Sequence, residues 1–104
     1  MEITISSRRG ELSEALLATT RRKIGRLSRF DDGLAVARVH FSEEKNPRIV
    51  DREVCEVLLE GRGQHVRCKV AAPDGFSAVD LAVEKLEHQL SRLKTREVPH
   101  GPRG

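Results

Sequence analysis

Basic side chains cluster at the end of the first helix that the sequence predicts. Five bases fall within nine residues with no acid between them: Arg21, Arg22, Lys23, Arg26 and Arg29. The helix dipole and a solvated surface account for one or two of these bases, and that remains the alternative interpretation. Like charges at spacings of three and four repel each other without a counter-anion. A phosphate backbone would supply that anion, so the cluster indicates nucleic acid.

A second basic group follows at the end of the second predicted helix. Its members are Lys85, Arg92, Lys94 and Arg96. Glu84 and Glu87 can neutralise part of this charge. Two helices side by side on one sheet face would merge their outward bases into one ridge, which Arg8 and Arg9 would extend. Such a ridge suits A-form RNA, which proteins read through its shape and its phosphates.

No arrangement of residues in the sequence indicates catalysis. The four histidines, His40, His65, His88 and His100, are scattered, and no glycine-rich phosphate loop is present. Cys55 and Cys68 lie opposite each other, both inward, if the hairpin turn between their strands is centred on Gly61-Arg62. We interpret them as small core residues, since zinc needs more ligands and a cytosolic disulfide is disfavoured. We therefore expect no enzyme activity, no cofactor and no metal.

Composition limits the class of protein further. The chain has 104 residues, enough for one domain, and 38% of them are hydrophobic, whereas Trp and Tyr are absent. The core must be aliphatic, and a row of aromatics that stacks RNA bases is excluded. The net charge is only +3, so a charged surface requires clustering. No apolar run reaches membrane-spanning length, and we expect a soluble cytoplasmic protein with no membrane partner and no small-molecule substrate.

The periodicity of the apolar residues predicts the fold. Ile3 and Ile5 alternate with polar residues, whereas Val79, Ala82 and Leu86 recur at helical spacing. Ser13 and Ser77 are the expected helix caps. The predicted strands cover residues 2–6, 34–42, 52–60 and 64–71, and the helices residues 13–29 and 76–94. This order predicts an α+β two-layer sandwich, β-α-β-β-β-α, in which two helices cover one face of a four-stranded mixed sheet whose first two strands are parallel.

The start of the second helix resembles a family signature. Asp74-Gly75-Phe76-Ser77-Ala78-Val79-Asp80 is similar to the Asp-x-Tyr/Phe-x-Ala-Ile/Val-Asp motif of the ribosome hibernation-promoting factors, which include the ribosome-associated inhibitor protein Y. The run from Lys85 to Lys94 resembles their Lys-Leu-Glu-x-Gln-Leu-x-Lys/Arg segment. Leu12-Ser13-Glu14-Ala15-Leu16 is similar to their first helix. The resemblance covers roughly residues 1–96, with Thr20 in place of a usually apolar residue.

The resemblance implies a fold like a double-stranded-RNA-binding domain and a function on the ribosome. It implies binding to ribosomal RNA of the small subunit, in the channel for messenger and transfer RNA, which blocks translation and stores or dimerises idle ribosomes under stress. Carried over to this chain, the RNA-binding residues are Arg22, Lys23, Arg26, Lys85, Arg92 and Lys94, and we add their neighbours Arg29 and Arg96. Residues 1–96 are then the ribosome-binding domain, and residues 97–104 a disordered tail or the start of a linker.

Two other functions remain open at this point. One is a double-stranded-RNA binder unrelated to the ribosome. The other is a protein-interaction module that docks through the outer helix faces or the open sheet face, which would carry Thr4, Arg38, His40, Glu56, Arg67 and Lys69. An enzyme would require a closed pocket lined by His40 or His65 together with Glu56.

Overall fold

The structure, a computed structural model, describes residues 1–97, with side chains through residue 93. The elements in chain order are β1 (Glu2–Ser7), α1 (Glu14–Gly25), a 3-10 helix (Arg26–Arg29), β2 (Leu34–Glu43), β3 (Glu53–Gly61), β4 (Gln64–Ala72) and α2 (Gly75–Glu97). This is the predicted α+β sandwich. Of the predicted tail over residues 97–104, only Glu97 lies within the described part, as the last residue of α2.

The four strands form one sheet in the order β1-β2-β3-β4. β1 pairs with β2 in parallel, as predicted, and the other two pairings are antiparallel. A parallel pair needs a crossover, which α1 supplies, whereas short turns suffice for antiparallel strands. Each outer strand is covered by a helix side chain: Arg21 donates to the Ile3 carbonyl (3.1 Å), and Gln89 donates to the Arg67 carbonyl (3.1 Å). These contacts occupy backbone groups that would otherwise lie open at the sheet edges.

The core lies between the inner face of the sheet and the apolar stripe of α2. Phe41 and Leu59 on the sheet and Val79 and Leu86 on α2 are fully buried. Thr20 is buried among them, and its hydroxyl donates to the Leu16 carbonyl at 2.7 Å. Because that hydroxyl has a partner, its burial does not carry the full cost of an unsatisfied polar group.

The two helices run side by side in the same direction. At their starts, a Cβ added to Gly75 would lie 2.7 Å from Cδ2 of Leu16, so glycine permits the close approach. At their ends, Phe30 lies with Leu90 and Leu93 around one cavity. The basic C-terminal ends of both helices therefore lie at the same end of the molecule.

The first helix cap is as predicted, and the second is not. The Ser13 side chain accepts a hydrogen bond from the Leu16 amide (3.1 Å) at the start of α1. In α2 the cap is Asp74, because its carboxylate accepts from the Ser77 amide (2.8 Å) and from the Ser77 hydroxyl (3.1 Å). Ser77 is the third residue of the helix. The carboxylate competes better than the hydroxyl because a charged acceptor at a helix N-terminus also complements the dipole.

The predicted pairing of the two cysteines is wrong. Cys55 lies opposite Val70, and Cys68 lies opposite Val57. The turn is centred on Arg62-Gly63, one residue later than predicted, where Gly63 adopts a positive φ of 67°. Both cysteines are free. Burial raises the pKa of the Cys55 thiol to about 12, with a smaller contribution from Cys68, and burial also raises the pKa of Cys68.

Candidate nucleic-acid interface

Three bases of the first helical segment form an exposed stripe. Arg22, Arg26 and Arg29 are spaced four and three residues apart, so they lie on one side of α1 and of the 3-10 helix that continues it. None of them forms an ion pair with a residue whose side chain is described. We call these three residues the arginine stripe. It is a surface of exposed guanidinium groups without direct carboxylate partners among the described side chains, which suits binding to a phosphate backbone.

The other two bases of this segment already have partners. Arg21 faces β1, where it contacts the Ile3 carbonyl. Lys23 points toward α2 and forms an ion pair with Asp80, which also accepts a hydrogen bond from it. Only about a quarter of the Lys23 side chain is exposed (28%). Lys23 is therefore part of the helix–helix contact, and its charge is shared with a carboxylate.

Acidic residues of α2 line the groove between the helices. This groove, of about 280 Å³, is bounded by Lys23 and Arg26 on one side and by Asp80, Glu84 and Glu87 on the other. Along the length of α1, these carboxylates separate the arginine stripe from the bases of α2. The continuous ridge that the sequence predicted is therefore interrupted over residues 80–87.

The described bases of α2 lie on its other flank. Lys85 is exposed beside β4, where its charge partly counteracts the rise that burial causes in the pKa of Cys68. Arg92 is exposed two turns further along the same side of the helix. The side chains of Lys94 and Arg96 lie outside the described residues, so their contribution stays a prediction.

Arg8 and Arg9 lie at the opposite end of the molecule from the helix C-termini. They line a depression with Ser42, Glu43 and Lys45, at the end of β2. The Arg9 guanidinium contacts the carboxylate of buried Glu53 at 2.7 Å. The prediction that they extend the basic helix ends is wrong, because β1 carries them away from those ends.

The open face of the sheet is polar with an apolar centre. One cross-strand row contains Thr4, Arg38, Leu58 and Arg67, and the next contains Ser6, His40, Glu56 and Lys69. Half-buried Leu58 at the centre was missed by the sequence analysis, since its neighbours in the row come from other strands. The depression over this face, of about 660 Å³, is open on one side. It brings His40 and Glu56 together without enclosing them.

Ion pairs and hydrogen bonds cross this face. Arg38 pairs with Glu60 at 3.3 Å, and His65 lies 3.5 Å from the same carboxylate. The Ser6 hydroxyl and Nδ1 of His40 share a hydrogen bond of 2.8 Å. Mixed charge makes this face a weaker site for a polyanion than the arginine stripe. Among the described residues, no group of three or more His, Cys, Asp or Glu side chains is placed to hold a metal ion, and no helix is long and apolar enough to cross a membrane.

Comparisons with known proteins identify relatives of this chain. Residues 3–98 match the model of the family described as Sigma 54 modulation protein / S30EA ribosomal protein. A ribosome hibernation promotion factor of Mycobacterium tuberculosis is 33% identical over 95% of this chain and 46% of its own length. That of Deinococcus radiodurans is 32% identical over 88% and 48%. The chain thus spans about half the length of these two curated relatives, whereas it matches 87% of an Azotobacter vinelandii factor at 28% identity.

Two solved structures share the fold. The N-terminal domain of Thermus thermophilus Protein Y is 29% identical, with a TM-score of 0.75 over 89% of this chain and 99% of that domain. A ribosomal subunit interface protein from Coxiella burnetii gives a TM-score of 0.81 over 91% of this chain and 99% of its own, at 24% identity. Both comparisons confirm the α+β architecture.

Proposed function

Because the chain belongs to the Sigma 54 modulation protein / S30EA ribosomal protein family, we propose that it is a ribosome-binding hibernation factor that acts without catalysis. The named function of its relatives supports the proposal. In finer terms, it binds ribosomal RNA of the small subunit in the channel for messenger and transfer RNA. It blocks translation by occupying that channel.

The arginine stripe is the observation that carries this proposal. Arg22, Arg26 and Arg29 are exposed and have no carboxylate partner among the described side chains, whereas Lys23 has one. A guanidinium group can bind a phosphate through two parallel hydrogen bonds. Lys85 and Arg92 supply further positive charge on the outer side of α2. Such contacts position a protein on RNA without reading its sequence, so selection comes from the shape of the channel.

Sedimentation with small ribosomal subunits tests the proposal. The native protein is compared with Arg22→Glu/Arg26→Glu/Arg29→Glu at low and moderate salt. A matched control, Arg8→Glu/Lys45→Glu/Arg48→Glu, makes the same change in net charge at exposed positions of the opposite end. We expect the native protein and the control to pellet with the subunit and the stripe variant to remain in the supernatant.

Other outcomes would contradict this assignment. If the stripe variant and the control lose binding equally, net charge and not the stripe governs association. If neither loses binding, another surface makes the contact. Equal affinity of the native protein for a plain RNA duplex and for the subunit would favour a general double-stranded-RNA binder. A cell-free translation assay with the same variants then links binding to inhibition.

A further inference from the structure

A cavity of about 330 Å³ opens where α1, its 3-10 continuation and α2 end. Its apolar wall consists of Phe30, Leu90 and Leu93. Leu90 is buried, and Phe30 and Leu93 are half-buried against the core. The Phe30 amide donates to the Leu27 carbonyl at 3.0 Å, which holds the residue at the end of the 3-10 helix. An aromatic ring packed against the core beside aliphatic side chains is a surface on which a planar ring can pack.

Four polar side chains line the rim: Asp31 and Gln64 bond to each other, whereas Asp32 and Arg29 have no partner among the described side chains. The Asp31 carboxylate accepts hydrogen bonds from the Gly33 amide (2.8 Å) and from Nε2 of Gln64. Asp32 is exposed, and its carboxylate has no partner among the described side chains. Arg29 is also exposed and unpaired among them. Among the described side chains, the rim thus offers one unpaired carboxylate and one unpaired guanidinium beside an apolar wall.

We propose that this cavity binds one unpaired guanine nucleotide of an RNA chain. The base packs against Phe30, the Asp32 carboxylate accepts from its Watson–Crick edge, and the guanidinium of Arg29 holds the adjoining phosphate. This inference rests on the proposed function, since the arginine stripe, which ends at Arg29, would guide an RNA backbone to the rim. Unpaired bases stacked on an aromatic side chain are a common way for proteins to recognise RNA.

The free carboxylate is the reason for choosing guanine. An ionised carboxylate only accepts hydrogen bonds. Guanine presents two adjacent donors, N1–H and its amino group, which match the two oxygens of Asp32. Adenine and cytosine present a ring-nitrogen acceptor beside their amino group, and uracil flanks its single donor with two carbonyls. Each of these bases would place an acceptor against the carboxylate, so we expect guanine to bind best.

Nuclear magnetic resonance titration of the isolated protein with guanosine 5′-monophosphate tests the cavity directly. We expect saturable shifts of the amide signals of residues 29–33 and of Gln64. The adenosine, cytidine and uridine monophosphates should bind at least tenfold more weakly. Inorganic phosphate alone should shift the amide signal of Arg29 and leave that of Gln64 unchanged.

Three variants separate the parts of the site. Asp32→Asn should remove the preference for guanine and keep binding of the base, because the amide presents a donor as well as an acceptor. Arg29→Gln should weaken binding of guanosine monophosphate and leave binding of guanosine, which has no phosphate, unchanged. Phe30→Leu should lower the affinity for each of the four nucleotides by roughly tenfold, as the loss of a stacked aromatic does. Asp51→Asn and Arg48→Gln, both exposed at the other end, are matched controls with no expected effect.

The outcomes distinguish this inference from the proposed function. Equal affinity for all four nucleotides, shifts no different from those with inorganic phosphate, or an Asp32→Asn variant that still prefers guanine would overturn the guanine site. If the protein sediments with the small subunit and fails these titrations, the proposed function stands and the guanine site is refuted. If it binds guanosine monophosphate in the cavity and does not sediment, the ribosomal function is refuted and the guanine site stands. Since Asp32 is exposed, its replacement leaves the fold intact and the test decisive.

Discussion

If the chain binds the small ribosomal subunit as proposed, the arginine stripe predicts how its affinity for the subunit depends on salt. A plot of log affinity against log salt concentration has a negative slope, and each phosphate contact makes it steeper by about 0.9 for a duplex. If all three arginines contact phosphates, Arg22→Gln/Arg26→Gln/Arg29→Gln should make the slope shallower by about 2.7. A rise from 50 to 200 mM salt would then weaken the native protein by about 40-fold more than the variant.

Fluorescence anisotropy of labelled protein, titrated with small subunits at four salt concentrations, measures these slopes. Arg8→Gln/Lys45→Gln/Arg48→Gln removes the same charge at the other end of the molecule and should leave the slope near the native value. Lys23→Gln should change the slope by well under one unit, because Asp80 already pairs with that lysine. A stripe variant with the native slope would refute the reasoning, since its arginines would then not replace counterions on the RNA.

Two further predictions concern stability. Asp74→Ala should lower the free energy of unfolding by about 1 kcal/mol, the usual cost of losing a helix cap. The exposed control Asp51→Ala should change it by less than about 0.5 kcal/mol. Urea denaturation followed by circular dichroism measures both values, and equal effects would contradict the assignment of Asp74 as the cap. For Cys55, burial raises the pKa in the folded protein from an ordinary 9.0 to about 12, so the folded state keeps its proton where the unfolded state loses it. The free energy of unfolding of the native protein, relative to that of Cys55→Val, should be constant below pH 9. It should then fall by about 1.4 kcal/mol per pH unit toward pH 12. Identical pH profiles for the two proteins would show that the thiol is not buried as described.

Most of the secondary structure could be predicted from local pattern. Alternation at Ile3 and Ile5 and helical spacing at Val79 and Leu86 report which face of an element is buried, and burial faces follow directly from side-chain periods of 2 and 3.6. The strand ends differ from prediction by one residue. The helix cap differs by three, since both Asp74 and Ser77 satisfy the local rule and only the backbone path decides which of them accepts.

The candidate site was predictable in part. That Arg22, Arg26 and Arg29 share one side of a helix follows from their spacing alone. That Lys23 is paired with Asp80 does not, because the two residues are 57 positions apart and meet only through the packing of two parallel helices. The cavity at Phe30 is likewise a tertiary feature, since its wall comes from both helical segments.

The order of the elements, their buried faces and the clustering of bases at two helix ends follow from the sequence alone, because each depends on neighbours within a few turns. Packing between elements sets the hairpin register that separates Cys55 from Cys68, the position of the α2 carboxylates between the basic groups, and the meeting of Phe30 with Leu90. Each of these depends on how separate elements pack, and a shift of one residue or a rotation of 100° per residue along a helix changes which side chains meet.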